Sequence, residues 1–269
     1  MHGMELNDKV FVVTGGGNGI GREVVLELVR RRAVVAAVDR SEEGLAGTVR
    51  LAGERAERIS THVVDITDRQ ACEALPDVVV RAHGQVDGLV NVAGIIQPFV
   101  HVADLAVEQV EKVMAVNFWG TVYLCKAFLP SLTARPAAAL LNVSSMGGLV
   151  PVPGQGAYGA SKAAVKLFTE TLQAELMDTS VAVTVVFPGG VGTNITGNSG
   201  VQVHVPDGAK VPKVTAPDEA GRQIVDAIAA GEPRLLIGKD AKMLDRMARV
   251  TPTKAILTVA KQMKSLLGS

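Results

Sequence analysis

The stretch KVFVVTGGGNGIGREVVLELV, residues 9–29, decides the fold. Residues 9–14 are a short β-branched apolar run without alternation, the pattern of a strand buried on both faces. From residue 19 the apolar positions recur at helical spacing. Between the two lies Gly15-x-x-x-Gly19-x-Gly21. Glycines let the backbone turn sharply and approach a ligand closely, and the free N–H groups at a helix start favour a phosphate. Strand, glycine turn and helix in that order read as a dinucleotide phosphate site, with Gly15, Asn18, Gly19, Ile20 and Gly21 as its contacts. The spacing is not G-x-G-x-x-G, so a tight turn without a ligand stays open as the alternative.

The same rhythm runs on. VVAAVD (34–39), THVVDI (61–66), VDGLVNVAG (86–94), ALLNVSS (139–145), VAVTVVFPGG (181–190) and RLLIG (234–238) read as strands. Helical patterns fill 41–56, with Ser41 as N-cap, and then 68–84, 103–117 and 118–132. Strands without alternation, separated by helices, make a parallel sheet covered on both faces. The expectation is an α/β fold: one Rossmann-like, doubly wound domain over 1–269, with about seven mainly parallel strands and helices on both faces. Residues 194–214 lack helical period and are expected as a loop that closes over a substrate. Residues 251–269 are expected as a helical tail.

Composition excludes several classes. Basic and acidic residues balance at 27 each, with no basic block, so no nucleic-acid footprint is expected. Cys72 and Cys125 are far apart and form no C-x-x-C pair, which suits a reducing cytoplasm and gives no metal site. Cys125 reads as a buried small hydrophobe. The polar N-terminus does not resemble a signal peptide, and no apolar run is long enough to span a membrane.

Asp39 ends the second strand, eighteen positions past Gly21. A carboxylate there can accept from the ribose hydroxyls and repels a 2′-phosphate. Arg40 follows and can accommodate that phosphate. NAD is the expected cofactor, and NADP the alternative.

Tyr158 and Lys162 stand four residues apart, on one helix face. A phenol titrates near 10, and moving it to about 7 takes roughly 4 kcal/mol. A neighbouring ammonium favours the phenolate, which can then take the proton from an alcohol while hydride leaves its carbon. Ser145 closes a strand thirteen positions before the tyrosine, and Asn117 follows the NVAG segment at 91–94.

Together with PGGVGT (188–193), these motifs resemble the short-chain dehydrogenase/reductase family in its compact branch, over most of the chain from Val10 to about Gly238. Thr14, Gly15, Gly19 and Gly21 match its glycine turn, and Asn91, Ala93 and Gly94 match its N-x-A-G motif. Val92 stands where many relatives carry a second Asn, a difference that bears on packing. The resemblance implies a tetrad of Asn117, Ser145, Tyr158 and Lys162. In it Tyr158 is the general acid/base and Ser145 holds the substrate oxygen. Lys162 lowers the tyrosine pKa and binds the nicotinamide ribose, and Asn117 holds a water linked to Lys162. The resemblance also places Asp65 and Ile66 at the adenine, Pro188, Gly189 and Val191 beside the nicotinamide, and Thr193 on its carboxamide. It implies a homodimer or homotetramer paired through helices near 118–133 and 158–177.

The substrate is expected to touch Ile95, Ile96, Gln97, Met146, Gly147 and Val152, beside Ser145 and Tyr158. Their apolar character suggests a mainly apolar secondary alcohol or ketone. His204 reads as an exposed loop residue. In the tail, Ile256, Leu257, Ala260, Met263 and Leu267 form an apolar stripe, with Lys254, Lys261 and Lys264 elsewhere. Packing on the domain is the expectation, and contact with a membrane surface the alternative. Asp240, Asp245, Arg246 and Arg249 read as a solvated face. An NAD-dependent oxidoreductase is the leading reading. The rival is a dinucleotide sensor of the same fold without turnover, for which an intact tetrad would serve no purpose.

Overall fold

The structure, a computed structural model, describes residues 3–201 and 214–263. Its elements run β1 (Val10–Thr14), α1 (Gly19–Arg30), β2 (Val34–Asp39), α2 (Glu42–Ala52), β3 (Ile59–Val63), α3 (Arg69–His83), β4 (Gly88–Asn91) and α4 (Val107–Met114). They continue through α5 (Gly120–Thr133), β5 (Ala138–Val143), α6 (Gly156–Glu175), β6 (Val181–Pro188), α7 (Ile195–Asn198), α8 (Pro217–Ala230), β7 (Arg234–Ile237), α9 (Lys239–Val250) and α10 (Pro252–Met263).

The strands form a seven-stranded sheet in the order β3-β2-β1-β4-β5-β6-β7, every pair parallel. The order reverses between β1 and β4, and such a switch point opens a crevice at the carboxyl ends of the strands. Each face of the sheet buries its own core. Val13, Leu141 and Val186 pack under α1 and α8 with Val24, Leu28 and Ile224. Val12, Leu89 and Leu140 pack on the other face with Leu124, Phe128 and Leu172. Strands buried on both faces explain the continuous apolar runs. A third, smaller cluster holds Val150, Leu244, Ala255 and Val259 together and fastens α9 and α10 to the domain.

Three elements differ from the sequence expectation. The third strand starts at Ile59 and ends at Val63, so Val64, Asp65 and Ile66 leave the sheet. It is the edge strand, half exposed, and the more apolar segment after it carries the crevice wall instead. The helices expected at 103–117 and 118–132 are one helical run, α4 into α5, joined by a π-turn at Ala115–Trp119. π-turns of this kind collect at functional sites. In the tail the buried face is Ala255 and Val259, while Ile256 and Leu257 point outward at 46% and 57% exposure. Small side chains let α10 pack close, so its inner face reads as less apolar than its outer one. Leu267, Lys264 and His204 lie outside the described residues, as does most of the expected loop at 194–214. Where that loop begins, α7 is tied back to the domain by Ile96 N donating to Ser199 Oγ at 3.0 Å.

Candidate active site

The crevice is a cleft of about 1080 Å³. One end is the glycine turn. Gly15 and Gly19 have φ of +69° and +53°, and a Cβ on Gly21 would stand 2.2 Å from the Gly15 carbonyl. Only glycine lets α1 start this tightly against β1. Asn18 caps α1, its side chain accepting from Gly19 N at 2.7 Å. Asp39 closes the turn from β2: Oδ2 accepts from Gly17 N at 3.0 Å and Oδ1 from Ser41 N at 2.9 Å. Arg22, which the sequence reading missed, supports the turn from below by donating to Gly17 O and to Thr48 Oγ1. Asp65 is fixed by the Thr67 N–H and hydroxyl at 2.9 and 2.7 Å, which hold its carboxyl below the usual range.

The other end is built on β5 and α6. Tyr158 and Lys162 face the cleft from α6, and Ser145 follows β5. Ser145 Oγ accepts from Gly147 N at 3.0 Å. A Cβ on Gly147 would lie 3.4 Å from the Tyr158 ring and 3.5 Å from Ser145 Oγ, so Gly147 leaves room between them. Ser144 turns away and donates to Lys162 O at 2.7 Å, which leaves Ser145 as the hydroxyl beside the tyrosine. Lys162 Nζ donates to Val143 O at 3.0 Å, and burial brings its pKa down to about 8. Burial pushes the Tyr158 phenol above its ordinary value, and the hydrogen bond with Ser145 pulls the other way. In the protein alone, the tyrosine is therefore not yet acidified; the expected depression needs a further positive charge in the cleft.

Most of the expected contacts line this cleft. They are Gly15, Asn18, Gly19, Ile20, Gly21, Asp39, Arg40, Asp65, Ile66, Ala93 and Gly94, with Pro188, Gly189, Val191 and Thr193 opposite. Ile95, Ile96, Met146, Gly147 and Val152 line its apolar end, joined by Phe99, Ile195, Val214 and Met263.

Three expected residues do not reach it. Asn91 is buried, and its Nδ2 donates to Asn142 Oδ1 at 2.9 Å between adjacent strands. It ties β4 to β5 from behind the cleft wall. Asn117 is fully buried in the π-turn. Its Oδ1 accepts from Ile95 N at 2.8 Å, and its Nδ2 donates to Ile95 O and Ser161 Oγ, both at 2.9 Å. The side chain thus ties the backbone after Gly94 to Ser161 on α6. A Cβ on Gly94 would sit 3.1 Å from Lys162 Nζ and 3.3 Å from Asn117 Oδ1, which explains glycine there. Gln97, expected at the substrate, is also fully buried. Its Oε1 accepts from Tyr158 N at 3.0 Å and its Nε2 donates to Gly154 O at 3.1 Å.

The face expected to be solvated is corrected at its two acids, while Arg246 and Arg249 are exposed as expected. Asp240 Oδ2 accepts from Gly190 N at 2.7 Å and holds the turn after β6. Asp245 is mostly buried and pairs with Arg234 at 2.6 Å. Neither role has a local sequence signal, because both partners are distant in the chain. Cys72 and Cys125 are buried free thiols, and burial raises each to about 12. Among the described residues, no group of three or more His, Cys, Asp or Glu could hold a metal, and no helix is long and apolar enough to cross a membrane.

Comparison with known proteins bears on the family and the fold. Residues 9–203 match the family model described as short chain dehydrogenase. SadH of Mycobacterium tuberculosis is 38% identical over 250 residues, covering 90% of each chain. Dehydrogenase/reductase SDR family member 7B of Xenopus tropicalis is 31% identical over 245 residues, covering 87% of this chain and 79% of that protein. A short chain dehydrogenase from Burkholderia cenocepacia, solved in complex with NADP, superposes with a TM-score of 0.80 at 27% identity over 95% of this chain and 99% of that one. A short chain dehydrogenase/reductase from Burkholderia phymatum, solved with NAD, shares the fold at a TM-score of 0.84 and 24% identity, over 94% and 97% of the two chains.

Proposed function

Because this chain belongs to the short-chain dehydrogenase/reductase family, and is an oxidoreductase on that ground, we propose that it interconverts a mainly apolar secondary alcohol and its ketone with NAD. The observation that carries the reading is the convergence of Ser145, Gly147, Tyr158 and Lys162 at the apolar end of a cleft whose other end is a glycine turn.

The turn fits a dinucleotide. Its backbone lies bare where a Cβ would intrude, the N-terminus of α1 faces it, and Asp39 stands at the end of β2. Gly15, Gly19 and Gly21 would hold the pyrophosphate, Asp39 the adenosine ribose, and Asp65 with Ile66 the adenine. Bound NAD would supply the hydride acceptor, and a positive charge beside Tyr158.

The chain's own residues handle the proton. Ser145 Oγ holds the substrate oxygen and steadies charge that develops there. The Tyr158 phenolate takes the alcohol proton as the C–H bond breaks and its hydride leaves for the acceptor that NAD would supply, or the phenol returns the proton in the reverse direction. Lys162 favours the phenolate and would hold the nicotinamide ribose; its pKa near 8 keeps most of it charged at neutral pH. Gln97 and Asn117 fix Tyr158 N and the Ile95 backbone from behind. Ile95, Phe99, Met146, Val152 and Met263 exclude water and prefer apolar substituents. The same reading includes pairing of copies through α5, the π-turn before it, and α6, where Trp119 and Leu167 are 48% and 64% exposed; sedimentation velocity tests it.

The test of the reaction is absorbance of reduced nicotinamide, with NAD or NADP and a series of secondary alcohols, then the ketones in reverse. Turnover that favours apolar alcohols and NAD is expected. Tight dinucleotide binding with no turnover across the series would instead favour the sensor.

A further inference from the structure

We propose that the outward face of α9 and α10 is a docking surface for an anionic lipid membrane. The chain as a whole is charge-balanced, but this corner is not. In residues 239–263 the exposed charged side chains are Lys239, Lys242, Arg246, Arg249, Lys254 and Lys261, all basic. The two carboxylates turn inward: Asp240 accepts from Gly190 N, and Asp245 is 13% exposed between Arg234 and Arg249, which leaves Lys239, Lys242, Arg246, Lys254 and Lys261 in excess.

Large apolar side chains are exposed on the same two helices. Met243, Val250, Ile256 and Leu257 are 48%, 73%, 46% and 57% exposed. Helical spacing puts Lys239, Met243, Arg246 and Val250 on one face of α9, opposite the buried Ala241 and Leu244. On α10 it puts Leu257 between Lys254 and Lys261, opposite the buried Ala255 and Val259. Basic and aliphatic groups mixed on one outward face suit the headgroup layer, where lysines meet anionic lipid and aliphatic groups sink below it.

The occupant follows from charge and composition. A second copy on a two-fold axis would set these bases against one another, at a cost in repulsion. A nucleic acid would find no aromatic side chain in α9 or α10 on which to stack a base. Position adds to the case: Met263, in the last described turn of α10, lines the apolar end of the cleft. The surface thus lies against the substrate end, which suits an alcohol or ketone that partitions into a bilayer. That last clause rests on the catalytic reading; membrane binding does not.

Co-sedimentation of the full chain with vesicles of phosphatidylcholine, alone or mixed with phosphatidylglycerol, tests the proposal without any turnover. The wild type is expected to sediment with the mixed vesicles, to stay in solution with phosphatidylcholine alone, and to be released by high salt. Lys254→Glu with Lys261→Glu, and separately Ile256→Glu with Leu257→Glu, should each weaken binding about tenfold or more. All four side chains are exposed, so Tm should not move. Equal binding to both vesicle types, or binding unchanged by both double substitutions, would overturn the proposal. So would self-association in sedimentation velocity that Ile256→Glu with Leu257→Glu abolishes, since a second copy would then be the occupant. Vesicle binding by a protein that turns over no alcohol would leave this proposal standing and sink only the catalytic reading.

Discussion

The side-chain oxygen of Gln97 accepts the backbone N–H of Tyr158 at 3.0 Å, across 61 positions of sequence. That N–H lies in the first turn of α6, where a helix has no internal acceptor to offer. Gln97 thus caps the helix that carries Tyr158 and Lys162 from another segment, while its Nε2 holds Gly154. Gln97→Met should orphan two buried groups at about 1–3 kcal/mol each. The expected result is a lower Tm together with a fall in kcat larger than the change in KM, because the tyrosine is displaced and not removed. An unchanged kcat in the folded variant would deny Gln97 its positioning role.

Asp39 spends its two oxygens on Gly17 N and Ser41 N. On the proposed reading, its carboxylate would repel a 2′-phosphate. Asp39→Asn removes the charge and keeps one acceptor. Titration of the two dinucleotides should show weaker NAD binding and stronger NADP binding than in the wild type. No change in their ratio would mean that Asp39 shapes the turn without selecting the cofactor.

Asp240 reaches across 50 positions to hold Gly190 N. Asp240→Ala would leave that N–H unpaired in the turn beside Gly189 and Val191. Stability should drop by about 1–3 kcal/mol, and dinucleotide affinity should fall with it. Asp240→Asn, which still offers an oxygen, should recover most of both. Chemical denaturation and a binding titration read the two effects.

Burial holds Lys162 at about 8, below the ordinary lysine value of 10.5. Between those values the unfolded chain keeps the proton that the folded chain has lost, so wild-type stability should rise with pH through that window. Below it, the buried ammonium costs on the order of 3 kcal/mol. Lys162→Met should therefore match or exceed the wild type in stability at neutral pH, with the gap closing as pH rises from 8, while turnover collapses. A variant markedly less stable at neutral pH would place the value of Lys162 in its bond to Val143 O.

Much of this was legible in the sequence, for identifiable reasons. Buried parallel strands are unbroken apolar runs, and six of the seven stand where such runs stand. β3 slipped because an edge strand such as ISTHV needs less apolar character than the segment after it. The glycine turn and the Tyr158–Lys162 pair were legible because their chemistry is local. Asn91, Gln97 and Asn117 stand behind the cleft wall, a placement the sequence did not show because a polar residue near a site either faces the ligand or holds the wall, and only the long-range partner decides which. The π-turn at Ala115–Trp119 left no compositional trace. The inner face of α10 was hidden because Ala255 packs tightly while the more apolar Ile256 and Leu257 face outward.

The most direct measurement of the central claim is turnover by Tyr158→Phe, read as reduced-nicotinamide absorbance beside a dinucleotide-binding titration. Removing only the hydroxyl should cut kcat by about 10²–10⁴, while fold and dinucleotide affinity stay at wild-type values. A Tyr158→Phe variant that turns over at the wild-type rate would contradict the account, because the proton would then have to travel through another group.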